Sequence, residues 1–141
     1  MKSVLIDTNI WSTYLRRKSE EDADLRYNVE ELIKSGRVEF IGPIRQEVLS
    51  GIKDNNKFEL LKEYLSAFDD EVIHTHEYEI AAKLTNDCIA KGIAISAIDA
   101  IIAACINSKG WELYTRDKDF DRYAKVLKIN KYKEEKRPNK R

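Results

Sequence analysis

The run Val4-Leu5-Ile6 is uniformly apolar and stops at once on Asp7, Thr8 and Asn9. A short apolar run without polar alternation reads as a strand buried on both faces, and such strands belong to parallel sheets covered by helices. No other stretch constrains the fold as much. A buried strand that ends on a carboxylate also raises a question of chemistry. Asp, Thr and Asn are ordinary caps and turn residues. Ligands in open α/β sheets, however, bind beyond the carboxyl ends of the strands.

Helical and strand-like segments alternate along the rest of the chain. Helices are predicted from about Ile10 to Arg17, from Ala23 to Ser35, and from Pro43 through Gln46, Glu47, Val48 and Leu49 to a stop at Gly51. Apolar residues at 58, 60, 61, 64, 65 and 68 form a helical stripe. Further helices are expected over Glu77 to Lys91, Ser96 to Ser108 and Asp119 to Lys125. Strands are expected at 38–42 and 112–115, with weaker candidates at Glu71 to His74 and Val126 to Ile129. Strands separated by helices imply an α/β fold, here a three-layer α/β/α domain with a mostly parallel sheet of four or five strands. Residues 1–130 would form that single domain and residues 131–141 a basic, flexible tail.

Composition bounds the function. A chain of 141 residues can bury a real core as one domain. With 25 acidic and 25 basic residues it is no polyanion magnet as a whole, so any nucleic-acid contact must come from a local basic patch. No apolar run approaches the roughly eighteen residues needed to span a bilayer, and the amino terminus does not read as a signal peptide. Cys88 and Cys105 lie in apolar, helix-like surroundings and read as reduced, buried cysteines of a cytoplasmic protein.

Five acidic residues fall at particular places in this scheme. Asp7 ends the first strand, Glu47 lies in the helix after the second, Asp99 is in the first turn of the helix from Ser96, and Asp117 and Asp119 follow the strand ELYT. Strand carboxyl ends and helix amino ends share one edge of a parallel sheet, so all five belong to that edge. Taken singly, each is also explained by helix-start chemistry: Asp7 and Asp117 or Asp119 as caps, Ser96 and Asp99 as a capping box, Glu47 as a solvated residue. The conjunction weighs differently. Asp99 sits in AISAIDAIIAACI, the most apolar window of the chain, where a bare charge is expensive. Two carboxylates about 4 Å apart repel by roughly 4 kcal/mol at an effective dielectric of about 20. A divalent cation between them would offset that, and hard oxygen donors without His or Cys point to Mg²⁺ or Mn²⁺. Thr8, Asn9, Ser96 and Thr115 could orient the carboxylates or bound waters, or serve only as caps and turn residues.

The stretches LIDTNIW, PIRQEVLSG, SAIDAIIAACI and LYTRDKDF, in that order, resemble the four acidic blocks of PIN-domain ribonucleases, and more narrowly of VapC-type toxins of toxin–antitoxin pairs. The resemblance runs from about residue 3 to residue 130. It departs at SAID, where many relatives carry a proline before the aspartate. It implies a Mg²⁺- or Mn²⁺-dependent endoribonuclease in which metal-activated water attacks a backbone phosphate. By position, Asp7, Glu47, Asp99 and Asp117 would be the catalytic acids, with Asp7, Asp99, Asp117 and Asp119 as metal ligands. The resemblance also implies an RNA substrate, a cognate antitoxin and a homodimer.

Other residues have weaker signals. Arg16, Arg17, Arg116 and Lys118, with Lys18 and Arg122, flank the acidic edge and could hold an RNA backbone, or be a solvated charged face. Trp11, Tyr14 and Leu15 could form a dimer or antitoxin surface, although core packing suits most of them. The H-x-H of His74 and His76 lacks further ligands and reads as two surface histidines. An aspartyl phosphatase is disfavoured because Asn9 stands where a second aspartate would be wanted. No glycine-rich phosphate loop follows the first strand, and the paired acids of a receiver domain are missing. A PIN-like domain that binds RNA without cutting it stays open.

Overall fold

The computed structural model describes residues 1–16 and 19–138. The expected strand is the middle of the fold. β1 (Val4–Ile6) pairs in parallel with β2 (Val38–Glu39) on one side and with β3 (Glu112–Tyr114) on the other, giving the order β2-β1-β3. Val4, Leu5 and Ile6 are fully buried, as an unbroken apolar run in a central parallel strand requires. The chain leaves β1 toward β2 and later returns past it to β3. The strand order therefore reverses at β1, which opens a crevice beyond its carboxyl end.

Between β1 and β2 lie α1 (Thr8–Leu15), a 3₁₀ turn (Glu20–Asp22) and α2 (Ala23–Lys34). Between β2 and β3 lie α3 (Gly42–Leu49), α4 (Asn55–Leu65), α5 (Thr75–Ala90) and α6 (Ala97–Lys109), and α7 (Asp119–Tyr123) follows β3. Pro43 sits in the first turn of α3, where its missing N–H costs nothing. Gly110 ends α6 with φ at 69°, a left-handed cap that a side chain would resist. α1 packs on α2 and α3, α3 on α4, and α5 on α6. Among the described residues no helix is long and apolar enough to cross a membrane.

The α/β class with a parallel sheet is as expected, but the sheet has three strands rather than four or five. The two weaker candidates form no strand, and the one bridge near each lies just outside it. Near 71–74 the pairing is limited to Phe40 with Asp70, because His74 already caps α5. At 126–129 the backbone is spent on a turn: Val126 and Leu127 N–H both donate to the Tyr123 carbonyl. The neighbouring bridge instead joins Leu113 to Lys131.

That bridge begins a second correction. The segment expected as a flexible tail is fastened along α2 and β3 through much of its length. Tyr132 N–H donates to Leu113 O, and Asn28, itself buried, donates to Glu135 O while accepting from Tyr132 hydroxyl and Glu135 N–H. Arg137 N–H donates to Asp24. Trp11 takes the core packing expected of this helix. It is fully buried against Phe40 and Phe68, at ring distances of 5.3 and 5.4 Å. Cys88 and Cys105 are buried free thiols, and burial pushes the Cys105 thiol up to about 11.

Candidate active site

Asp7 begins α1 as its N-cap, so the bland reading of this residue is correct as far as it goes. Its Oδ1 accepts the Thr8 N–H at 2.8 Å. Yet Asp7 is only 5% exposed, and its other oxygen is held from across the sheet. Oδ2 accepts the Thr115 hydroxyl at 2.8 Å and the Asn9 amide at 3.1 Å. Asn9 also donates to Thr115 Oγ1 at 3.0 Å and accepts the Arg116 N–H at 3.0 Å. The ends of β1 and β3 are thus laced together by short polar side chains around one carboxylate. Burial pushes the Asp7 carboxyl above its usual range. The Thr115 and Thr8 bonds pull it back, and the charges of Asp99 and Glu47 push it up again.

Glu47 comes from α3, and the Thr8 hydroxyl donates to its Oε1 at 2.8 Å. Asp99 comes from the first turn of α6. Ser96 caps that helix by accepting the Asp99 N–H at 3.1 Å, and its hydroxyl also favours the charged Asp99 carboxylate. The Asp99 carboxylate accepts the Tyr123 hydroxyl at 2.7 Å. Its pKa is raised, first by burial, with the charges of Asp117 and Glu47 adding to the rise and the Tyr123 bond opposing it. Asp117 Oδ1 accepts the Asp119 N–H at 2.9 Å, which braces the start of α7.

Asp99, Asp117 and Asp119 each offer an oxygen such that the three lie within 4.8 Å of one another. Among the described residues this is the one such group of potential ligands. Asp7 lies outside it and is coupled to it through the charge of Asp99. All-oxygen donors packed against their own repulsion fit a hard divalent cation. One cation is already at hand: Arg122 reaches Asp119 at 3.1 Å.

The expected basic residues fare unevenly. Arg116 is committed to Glu134 by two guanidinium bonds of 3.0 Å each, and Tyr114 hydroxyl donates to the same carboxylate at 2.7 Å. Arg16 is exposed and donates to Thr13 at 3.0 Å. Lys118 is exposed at the start of α7. Arg17 and Lys18 lie outside the described residues. His74 and His76 are exposed at the start of α5, with parallel rings 6.1 Å apart. Sequence reading missed Tyr123 and Glu134. Only the first had a local signal, since it stands one helical turn after Asp119.

A carboxylate crevice at the switch point of a small parallel sheet defines the class. The chain belongs to the PIN domain family, whose sequence signature matches residues 4–126. It is 28% identical over 129 residues to VapC ribonuclease Mb1587 of Mycobacterium bovis and to ribonuclease VapC11 of Mycobacterium tuberculosis, over 89% of this chain and 95% of each relative. Among solved structures it is similar to FitAcB from Neisseria gonorrhoeae, with TM-score 0.72 and 23% identity over 90% of this chain and 96% of that one. VapBC2 from Rickettsia felis, bound to a DNA fragment from their promoter, matches with TM-score 0.71 and 18% identity over 92% and 98%. These structures share the fold with this chain.

Proposed function

We propose that this PIN-domain protein is a metal-dependent endoribonuclease of the VapC type, the toxin of a toxin–antitoxin pair. The observation that carries the reading is the convergence of Asp7, Glu47, Asp99, Asp117 and Asp119, drawn from separate elements, on one crevice. There, Asp7 and Asp99 are both held above their usual pKa by burial and by neighbouring acids. Nothing in fold stability calls for such crowding, since each added like charge costs stability. The ribonuclease relatives and the toxin–antitoxin complexes among its structural neighbours, one from Klebsiella pneumoniae, support the assignment.

In this reading Asp99, Asp117 and Asp119 hold the cation, Mg²⁺ or Mn²⁺, with Asp7 completing the set. A bound divalent cation there supplies an activated water and polarises the phosphoryl group. The chain's own residues do the rest. Thr115, Asn9 and the Thr8 N–H fix the Asp7 carboxylate in one orientation. Thr8 hydroxyl fixes Glu47, which would help hold the cation. Lys118, the N-cap of α7 beside Asp117 and Asp119, attracts the phosphate backbone at the rim, and Arg16, at the far end of α1 from Asp7, does so at a greater distance. Arg116 does so only where a phosphate displaces Glu134 from its fork. A cognate antitoxin and a homodimeric form belong to the same reading.

The test is cleavage of a total small-RNA pool by wild-type protein and by Asp99→Asn, each with Mg²⁺, Mn²⁺ or EDTA. Discrete metal-dependent products that vanish in the variant are expected. Intact RNA in every lane, from folded and antitoxin-free protein, would overturn general ribonuclease activity and favour a domain that binds RNA without cutting it.

A further inference from the structure

α7 brings a second side chain to the acidic crevice besides Asp119. Tyr123 follows it by one helical turn, so the two project from adjacent places on one helix face. The Tyr123 ring is 2% exposed and packs edge-on against Phe120 with centroids 5.1 Å apart. A ring locked in this way leaves its hydroxyl oxygen at a fixed point in space. From there the hydroxyl donates to Asp99 Oδ2 at 2.7 Å.

This bond has two geometric consequences. A carboxylate gripped at one oxygen loses its freedom to swing about its last torsion, which fixes where its second oxygen lies. The bond also ties α6, which carries Asp99, to α7, which carries Asp119. The separation of these two acids, within the 4.8 Å cluster, is then set by a side-chain link as well as by the backbone. Nothing in the acidic blocks of the sequence requires a tyrosine here. A phenylalanine would keep the packed ring and could not make the bond.

We propose that Tyr123 is a positioning residue of the cation site: its hydroxyl holds Asp99 so that one carboxylate oxygen is presented to the divalent cation shared with Asp117 and Asp119. The inference rests on the metal-binding reading above. It differs in assigning the site's geometry to a residue that need not touch RNA or cation. Groups that orient metal ligands in this manner commonly change metal affinity by about 10–100-fold when removed.

The experiment uses the full, antitoxin-free chain with Mn²⁺ as probe, and measures binding by calorimetry and by the loss of the free-ion paramagnetic signal. Tyr123→Phe, which removes only the oxygen, should bind Mn²⁺ about ten-fold more weakly. Its RNA cleavage should fall at limiting Mn²⁺ and recover as Mn²⁺ is raised, with KM for RNA unchanged. Tyr123→Leu, which loses both ring and hydroxyl, provides a second reading should the first variant fold poorly, and should show at least the same loss. Unchanged Mn²⁺ affinity in Tyr123→Phe, even with a lower melting temperature in EDTA, would overturn the proposal, because that is the mark of a merely structural hydroxyl. So would an affinity lost in Tyr123→Leu but kept in Tyr123→Phe, which would assign the effect to the ring. Failure of the wild-type chain itself to bind Mn²⁺ would overturn the metal reading, and this proposal with it.

Discussion

Asp99→Asn should make the metal-free protein more stable while destroying its response to metal. The Asp99 carboxylate shares a 4.8 Å cluster with Asp117 and Asp119. At that separation two unit charges repel by about 3.5 kcal/mol at an effective dielectric of about 20, and by about 0.9 kcal/mol in bulk water. Asp119 is 51% exposed at its side chain and pairs with Arg122, so its share is screened. Asp117 is half-buried and faces Asp99 more directly. Neutralising Asp99 therefore relieves between about 1 and 3.5 kcal/mol. Against this, the Tyr123 bond passes from a charged to a neutral acceptor, a loss of about 1 kcal/mol. The net gain is up to about 2.5 kcal/mol, or up to roughly 8 °C in melting temperature for a domain of this size. Scanning calorimetry at low salt in EDTA reads it directly. Repeating the scan with Mn²⁺ should stabilise the wild type by mass action and leave the variant where it was. A variant that melts at or below the wild type in EDTA, yet keeps the wild-type Mn²⁺ shift, would refute the idea that mutual repulsion is what a cation relieves.

The same carboxyl yields a pH test. A folded-state pKa above the ordinary 3.8 means that the folded chain holds the proton more tightly than the unfolded one. Wild-type stability then gains from this group as pH falls through the raised value toward 3.8, and the gap between Asp99→Asn and wild type in EDTA should close over that window. Thr115→Val removes the hydroxyl that donates to Asp7 and accepts from Asn9 and Asp117 N–H. It should lower unfolding free energy by about 1–3 kcal/mol in urea titration and cut metal-dependent cleavage by about 10–100-fold. Asn28→Ala should release the segment from Tyr132 to Arg137, seen as faster limited proteolysis near the carboxyl terminus. The expected cost is about 2 kcal/mol, because Asn28 bonds both Glu135 backbone groups and the Tyr132 hydroxyl.

Much of the scaffold was legible because it rests on local signals. The apolar run 4–6 could only be a buried strand, Pro43 and Gly51 bounded α3, and Ser96 and Gly110 bounded α6. The weak strands failed for an equally local reason. The stretches at 71–74 and 126–129 carry the β-branched residues Val72, Ile73, Val126 and Ile129 that suit strands, but a helix cap and a turn had already claimed backbone groups there. The tail misled because its charge suggested solvent, while Tyr132 and the buried Asn28 supplied an anchor that no charge count reveals.

The sequence by itself determined that five acids lie on one edge, since parallel strands separated by helices share a direction and place all their carboxyl ends together. It also determined the donor chemistry, carboxylate oxygen without histidine or thiolate. Tertiary structure alone decided which acids meet. It grouped Asp99 with Asp117 and Asp119, left Asp7 to Thr115 and Asn9, set Tyr123 on Asp99, and tied Arg116 to Glu134. The reason is range. Helix and strand periodicity govern neighbours a few residues apart, whereas the contacts that shape this crevice span up to 108 residues of chain, as from Thr115 to Asp7. Such contacts are fixed by how the whole core packs.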